Sequence, residues 1–139
     1  MTWSIIARDP TTGQIGIAVA TKFFAVGALV PHIAPMVGGV ATQALVNPYY
    51  GIDGVRLLRE GKAPRDIIAA LTATDDGRES RQLHIMDAGG SIAAHTGSEC
   101  VDWCGHVAGE SFSIAGNMLV GPQVLDDTAK AYVANDRLP

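Results

Sequence analysis

The sequence is poor in charged, aromatic and cysteine residues. Of its 139 residues, 17% are charged and 6% aromatic, and two are cysteines. The net charge is −4, with no cluster of lysine and arginine. This argues against a nucleic-acid partner, because phosphate neutralisation needs a basic surface. Hydrophobic residues reach 47%, well above the range of disordered chains, so a folded core is expected.

Long apolar runs and secretion signals are also missing. The longest apolar stretches, such as 25–30 and 37–41, are far shorter than the ~20 residues that a membrane helix needs. The first residues lack the charged and hydrophobic regions of a signal peptide. We therefore expect a cytoplasmic protein without a membrane partner. The length fits a single domain over 1–139, since domains of about 100–150 residues are the commonest.

The cysteines and histidines do not predict a metal site. Cys100 and Cys104 stand four residues apart, and in a cytosolic protein such thiols are expected to be reduced. A zinc site would need two further ligands, and only His95 and His106 lie nearby in the sequence. Across a predicted hairpin, His84 and His95 point to opposite faces of the sheet. No glycine-rich nucleotide-binding motif occurs, so we expect neither a metal nor another cofactor.

The apolar pattern predicts strands, two helices, more strands and a last helix. Strands are expected at 3–8 and 15–21, within 28–36, and at 39–46. The segment 28–36 contains two prolines and is predicted to be an edge strand or an interrupted one. The later elements are a helix around Ile52–Leu58 closed by Gly61, a helix from Pro64 to Asp75, a hairpin of 81–87 with 91–96, a strand at 111–119, and a helix from Pro122 to about Val133. This order favours an α+β fold with antiparallel sheet and helices outside.

The start of the chain has potential for chemistry. Thr2 follows Met1 and leads directly into the first predicted strand. Because Thr2 is small, we expect an aminopeptidase to remove Met1. A free N-terminal threonine combines a nucleophilic hydroxyl with an α-amine of pKa about 7.7–8.0, which can accept the proton at neutral pH. If 9–13 forms the turn, Thr2 lies opposite a residue near position 20, within reach of the candidate cation Lys22. The alternative is that Thr2 is simply the residue after Met1.

Other polar residues stand in apolar surroundings. They are Ser4, His32, Thr42, Gln43, His84, His95, His106 and Asn117. Ser4 shares a strand face with Thr2, since side chains alternate along a strand. Thr42 and Gln43 interrupt a strand that is otherwise apolar, where a glutamine must find hydrogen-bond partners or line a cavity. Asn117 has a similar setting. These last three are our candidate substrate-binding residues, and each could instead be a satisfied core or turn residue.

Four segments of the sequence resemble the DUF1028 family. They are MTWSIIARDPTTGQIGIAVATKFFAVG, GGVATQALVNPYYGIDGVRLL, RQLHIMDAGGSIAAHTGSEC and GHVAGESFSIAGNML. The resemblance covers nearly the whole chain and implies a fold like that of the N-terminal nucleophile (Ntn) hydrolases, an αββα sandwich with two antiparallel sheets between helix layers. It places Thr2 at the nucleophile position and Lys22 near a supporting polar residue. It places His32 where proteasome-type enzymes carry an activating lysine, so that cation is missing or supplied by Lys22.

The resemblance also bears on the extent of the chain. The family continues into more helix and strand after Asp136–Pro139, so we expect this chain to be the N-terminal major part of the family domain. The sandwich would then be incomplete at its C-terminus. Missing elements would expose sheet edges and apolar surface, which favours a homo-oligomer.

Three hypotheses for function follow. The resemblance implies an amidohydrolase that attacks a small amide or peptide-like bond through an acyl-enzyme on Thr2. Ser4, Lys22 and His32 are then the other candidate catalytic residues, and no metal or nucleotide is needed. The alternative is a non-catalytic ligand-binding or assembly module that keeps the Ntn-like fold, because folds do not dictate function. A third hypothesis uses an internal nucleophile, Ser4 or Cys100.

Overall fold

The computed structural model describes residues 1–135 as eight strands and three helices. The strands are β1 Thr2–Arg8, β2 Ile15–Thr21, β3 Pro31–Ala34, β4 Gly38–Ala44, β5 Arg81–Asp87, β6 Ile92–Thr96, β7 Trp103–Ala108 and β8 Phe112–Leu119. The helices are α1 Pro48–Arg59, α2 Pro64–Ala73 and α3 Gln123–Ala134. All strand pairs in this range are antiparallel. The predicted α+β class with antiparallel sheets is confirmed.

The strands form two four-stranded sheets that face one another. Sheet A has the order β2-β1-β8-β7, and sheet B has the order β3-β4-β5-β6. Ile6 of sheet A packs with Ala41 and Met86 of sheet B between them. The outer face of sheet B, with Val40 and Ile85, is covered by α1 and α2, and the outer face of sheet A is covered by α3. The result is four layers in the order helix, sheet, sheet, helix.

Local sequence signals explain where α1 and α2 begin and end. The side chain of Asn47 accepts a hydrogen bond from the backbone N–H of Tyr49 at 3.1 Å and caps α1, as short polar residues do at a helix start. Pro48 and Pro64 stand in the first turns of the two helices, where a missing N–H costs nothing. Gly61 follows α1 with φ +78°, a conformation that glycine adopts without strain.

Several predicted elements are confirmed and one was missed. Strand β3 is an edge of sheet B, as the two prolines of the segment 28–36 predict. His84 and His95 do lie on opposite faces, because His95 pairs with Leu83. The sequence pattern did not predict β7, which carries Gly105 and an irregular register between Trp103 and Gly105. Such an irregularity breaks the alternation by which a strand is recognised.

Two further expectations concern the C-terminus of the chain and a membrane partner. The expectation that the sandwich is incomplete at its C-terminus concerns elements that would follow Pro139, and it stays a prediction. Within residues 1–135, none of the helices has the length and apolar character to cross a membrane.

Candidate functional site

Thr2 lies at a pocket formed where the strands of the two sheets end. Its cross-strand neighbours are Thr21 of β2 and Asn117 of β8, and directly opposed side chains point to the same face of a sheet. That face is the inner one, because Ile6 on the same side of β1 packs between the sheets. The pocket measures about 330 Å³, and Thr2, Thr21, Lys22 and Asn117 are among its lining residues. We call it the Thr2 pocket.

Hydrogen bonds orient the hydroxyl of Thr2. The Thr21 hydroxyl donates to the Met1 carbonyl at 3.0 Å and accepts from the Phe23 N–H at 3.1 Å. The hydroxyl oxygens of Thr2 and Thr21 are 2.9 Å apart. A hydroxyl has one proton to donate, and that of Thr21 is already used. Thr2 is therefore the donor to Thr21, and its own lone pairs are left available to the pocket.

The Thr2 pocket is apolar apart from a few groups. Its apolar lining residues are Met1, Phe23, Val26, Leu29, Val30, Ala44, Val46 and Met118. Lys22 is the charged side chain of the lining, and the ion pairs within residues 1–135 do not include it. A positive charge on an apolar wall favours an anion and disfavours a second cation nearby.

Two residues of the pocket wall have strained backbones. Ala44 has φ +70° and Met118 has φ +55°, a left-handed conformation that residues other than glycine adopt infrequently. Each stands where a central strand, β4 or β8, reaches the pocket. Strain of this kind persists only where the surroundings enforce it, and it is concentrated at functional sites. Left-handed residues also occur elsewhere, as at Met36, but Ala44 and Met118 line the same pocket as Thr2.

A buried hydrogen-bond network lies beneath the pocket, with Gln82 at its centre. Gln82 is 0% exposed. Its Nε2 lies 2.9–3.0 Å from three acceptors, which are Thr96 Oγ1, Gly105 O and Gly116 O. The Nε2 end of the amide is therefore fixed as the donor, and Oε1 faces the other way. It accepts from Gln43 Nε2 at 2.8 Å and from Asn117 Nδ2 at 3.0 Å.

The same network fixes the protons of Ser4 and His84. Gln43 Nε2 donates to Gln82 and to Ala115 O, so its Oε1 accepts from Ser4 Oγ at 2.7 Å. With its proton used there, Ser4 Oγ accepts from His84 Nε2 at 2.9 Å, and His84 Nδ1 then accepts from Ser113 Oγ at 2.9 Å. Burial lowers the pKa of His84 to about 3, so the ring is neutral at pH 7.

This arrangement does not support Ser4 as a nucleophile. A serine is activated when a neighbouring base accepts its proton, whereas His84 donates to Ser4. Ser4 is also 1% exposed and Ser113 is 0% exposed, which leaves no room for a substrate carbonyl. The Ser4, His84 and Ser113 side chains therefore join the two sheets through polar contacts in the middle of the sandwich.

Cys100 is also a poor nucleophile. Cys100 and Cys104 are both free thiols, as expected from the sequence. The Cys100 Sγ donates to the carbonyl of Arg81 at 3.4 Å, and burial raises the pKa of this thiol. Reactive cysteines have a lowered pKa, because the thiolate is the attacking species.

The structure places His32 and Thr42 away from the Thr2 pocket. His32 lies on the outer face of sheet B with its ring against Gly51 of α1, and its Nε2 is 3.2 Å from Leu29 O. Thr42 is on the same outer face, since it alternates with Gln43, and its hydroxyl donates to Asn47 O at 3.2 Å. Thr2, Lys22, Gln43 and Asn117 are brought together at the pocket.

Three residues of the site and its network were missed by the sequence analysis. Thr21 follows from the hairpin register, which predicted a partner of Thr2 near position 20. Gln82 stands two residues before His84 on β5, and Ser113 stands four residues before Asn117 on β8. Each pair therefore points to the same face of its sheet. The spacing of these residues in the sequence predicts that they share a strand face, but it does not predict that this face packs against a second sheet. Within the described part of the chain, no group of three His, Cys, Asp or Glu side chains could hold a metal ion.

Fold and site together define an α+β protein with two facing antiparallel sheets and a pocket at the start of its first strand. The model of the family of unknown function DUF1028 matches residues 2–139, and the chain belongs to that family. It is similar to protein SPO2555 from Silicibacter pomeroyi, a DUF1028 protein of known crystal structure. The TM-score is 0.93 and the identity 41%, over 97% of this chain and 63% of that one. Among proteins of curated function, none matches this chain.

Proposed function

We propose that this chain is an amide hydrolase of the N-terminal nucleophile type, acting through Thr2 on a small amide or peptide-like bond. The position of Thr2 carries the proposal. Its hydroxyl lies in the Thr2 pocket, at the first residue of an inner strand, where a chain terminus and a substrate can meet. The four-layer sandwich agrees with the Ntn-like architecture that the family resemblance implies.

The reaction needs the amine of Thr2 to be free. While Met1 is attached, the nitrogen of Thr2 is an amide and cannot accept a proton. After removal of Met1, the α-amine takes the proton of the hydroxyl as Thr2 Oγ1 attacks the substrate carbonyl carbon. The C–N bond then breaks, and the leaving amine receives that proton. Water attacks the resulting ester on Thr2, which releases the acid and restores the hydroxyl.

Two neighbours assist this chemistry in the proposal. While Met1 is present, the hydroxyl of Thr21 donates its proton to the Met1 carbonyl. Removal of Met1 takes this acceptor away, so the Thr21 hydroxyl can turn towards the amine or the hydroxyl of Thr2. The positive charge of Lys22 on the pocket wall favours the unprotonated amine, since a like charge disfavours a second cation. The homo-oligomeric state and the cytoplasmic location stay predictions.

A covalent probe tests the proposal without knowledge of the substrate. A β-lactone opens on a nucleophilic hydroxyl to give a stable ester, which intact mass and peptide mapping detect. We expect chain that has lost Met1 to be labelled on Thr2, chain that retains Met1 to be unlabelled, and Thr2→Ser to keep the reaction. Thr2→Ala should abolish it. Thr11→Ala is the matched control, because Thr11 is exposed in the β1–β2 turn.

Two outcomes would contradict this proposal. Labelling that persists in Thr2→Ala would place the nucleophile elsewhere, and mapping to Ser4 or Cys100 would support the internal-nucleophile hypothesis. A folded chain lacking Met1 that no lactone labels would overturn the hydrolase and leave the ligand-binding module.

A further inference from the structure

A second pocket adjoins the Thr2 pocket. It measures about 290 Å³, and its lining residues are Ala44, Leu45, Ser80, Glu99, Cys100, Val101, Asn117 and Met118. Ala44, Asn117 and Met118 also line the Thr2 pocket, so the two pockets meet at a shared wall. We call the second one the Glu99 pocket. The wall contains Ala44 and Met118, two of the five non-glycine residues with positive φ in residues 1–135.

The two pockets carry side chains of opposite charge. Lys22 is the charged side chain in the lining of the Thr2 pocket, and Glu99 is the charged one in the lining of the Glu99 pocket. Ser80 Oγ donates to Glu99 Oε2 at 2.8 Å, which orients the carboxylate. Within residues 1–135, the ion pairs do not include Glu99, so its charge is available to a ligand.

An unpartnered hydrogen-bond acceptor lies on the wall between the pockets. Asn117 is 2% exposed, and its Nδ2 donates to Gln82 Oε1. This contact fixes the amide, so the free end is the acceptor Oδ1. Oδ1 accepts no hydrogen bond from residues 1–135, yet it is not sealed inside the protein. It therefore opens on the pockets that Asn117 lines, where a ligand N–H can satisfy it.

We propose that the Glu99 pocket binds the amine half of the substrate, and that this half carries a cationic group. The scissile amide then lies across the shared wall, with its N–H donating to Asn117 Oδ1 and its carbonyl beside Thr2. The acyl half occupies the apolar Thr2 pocket. Lys22 repels a cation from that pocket while Glu99 attracts it to the other, so charge sets the direction in which the amide binds. The chemistry rests on the proposed function, whereas the binding does not.

Three amides that differ in one terminal group test the proposal. They are N-(4-aminobutyl)acetamide, which is cationic, N-pentylacetamide, which is neutral, and 5-acetamidopentanoate, which is anionic. Dissociation constants are measured by NMR titration on the Thr2→Ala chain, where hydrolysis cannot interfere. Because an exposed ion pair is worth a modest free energy, we expect the cation to bind about two- to fivefold more tightly than the neutral amide. The anion should bind more weakly than either.

Variants assign the preference to one carboxylate. Glu99→Gln keeps an oxygen for the Ser80 hydroxyl and should remove the preference for the cation, and Glu99→Lys should reverse it. Glu110→Gln is the matched control, because Glu110 is exposed in the β7–β8 turn at the far end of sheet A. It should leave the preference unchanged.

Two results would overturn the inference. One is equal binding of the three amides to the chain with Glu99, and the other is a preference that survives Glu99→Gln. The proposed function fails separately. If no lactone labels Thr2 but the cation preference disappears in Glu99→Gln, the hydrolase is wrong and the binding site stands.

Discussion

Replacement of Gln82 by methionine should destabilise the protein strongly, although methionine has nearly the same length. Gln82 Oε1 accepts from Gln43 and Asn117, and its Nε2, which has two protons, lies within hydrogen-bond distance of three acceptors. Gln43 keeps its second bond, to Ala115 O. Asn117 Nδ2 and the carbonyls of Gly105 and Gly116 each lose a buried partner.

The size of the loss follows from the number of groups left unpaired. Each buried polar group without a partner costs about 1–3 kcal/mol, and three such groups give about 3–6 kcal/mol after partial relaxation. This is a large fraction of the total stability of a domain, which is about 5–15 kcal/mol. The loss also frees the side chain of Asn117, so the wall of the Thr2 pocket should lose its fixed amide orientation.

Urea unfolding followed by far-UV circular dichroism measures the effect. The midpoint should fall while the slope with urea stays near that of the unchanged chain, because a change in midpoint alone reports stability. Gln14→Met is the matched control, since Gln14 is exposed in the β1–β2 turn, and it should change stability by less than about 0.5 kcal/mol. A loss below about 1 kcal/mol in Gln82→Met would refute the assignment of Gln82 as the centre of the network.

Two more predictions concern pH and the packing of β4. The pKa of His84 is lowered to about 3 by burial, below about 6.5 for an unfolded histidine, so protons bind more readily to the unfolded chain at mildly acid pH. Stability is therefore retained above pH 6.5 and lost as the pH falls, by up to about 1.4 kcal/mol per pH unit. The urea midpoint, measured from pH 6 to pH 4, should change less with pH in His84→Gln than in the unchanged chain. An equal change of the midpoint with pH in the two chains would contradict this. Gly38 has φ +144°, and a Cβ there would collide with Met86 O, so Gly38→Ala should lower the thermal midpoint clearly. Gly27→Ala, where a Cβ meets nothing within 4 Å, should leave that midpoint nearly unchanged, and equal effects of the two would show that the close approach is not what requires Gly38.

Local patterns allowed much of the fold to be predicted. The hairpin of β1 with β2 followed from the turn residues at 9–13, and its register brought Thr2 opposite Thr21. The prolines at 31 and 35, at the start of β3 and just after it, identified an edge strand, and Pro64 identified the start of α2. These signals are short in range, because a turn or a helix start is decided by a few neighbouring residues. Strand β7 was not predicted, because its irregular register and Gly105 interrupt the alternation of apolar and polar residues.

The sequence by itself determined which residues share a strand face, and only the tertiary structure decided what each face meets. Alternation placed Ser4 with Thr2, but it could not show that Ser4 contacts His84, 80 residues further along the chain. Nor could it show that Gln43 points towards Thr2 while Thr42 points towards α1. The two-residue period of a strand shows which residues share a face, but it does not show which face points to the interior of the sandwich. The Thr2 pocket forms because the inner faces of sheets A and B pack against each other, and burial of the apolar side chains between them stabilises this packing.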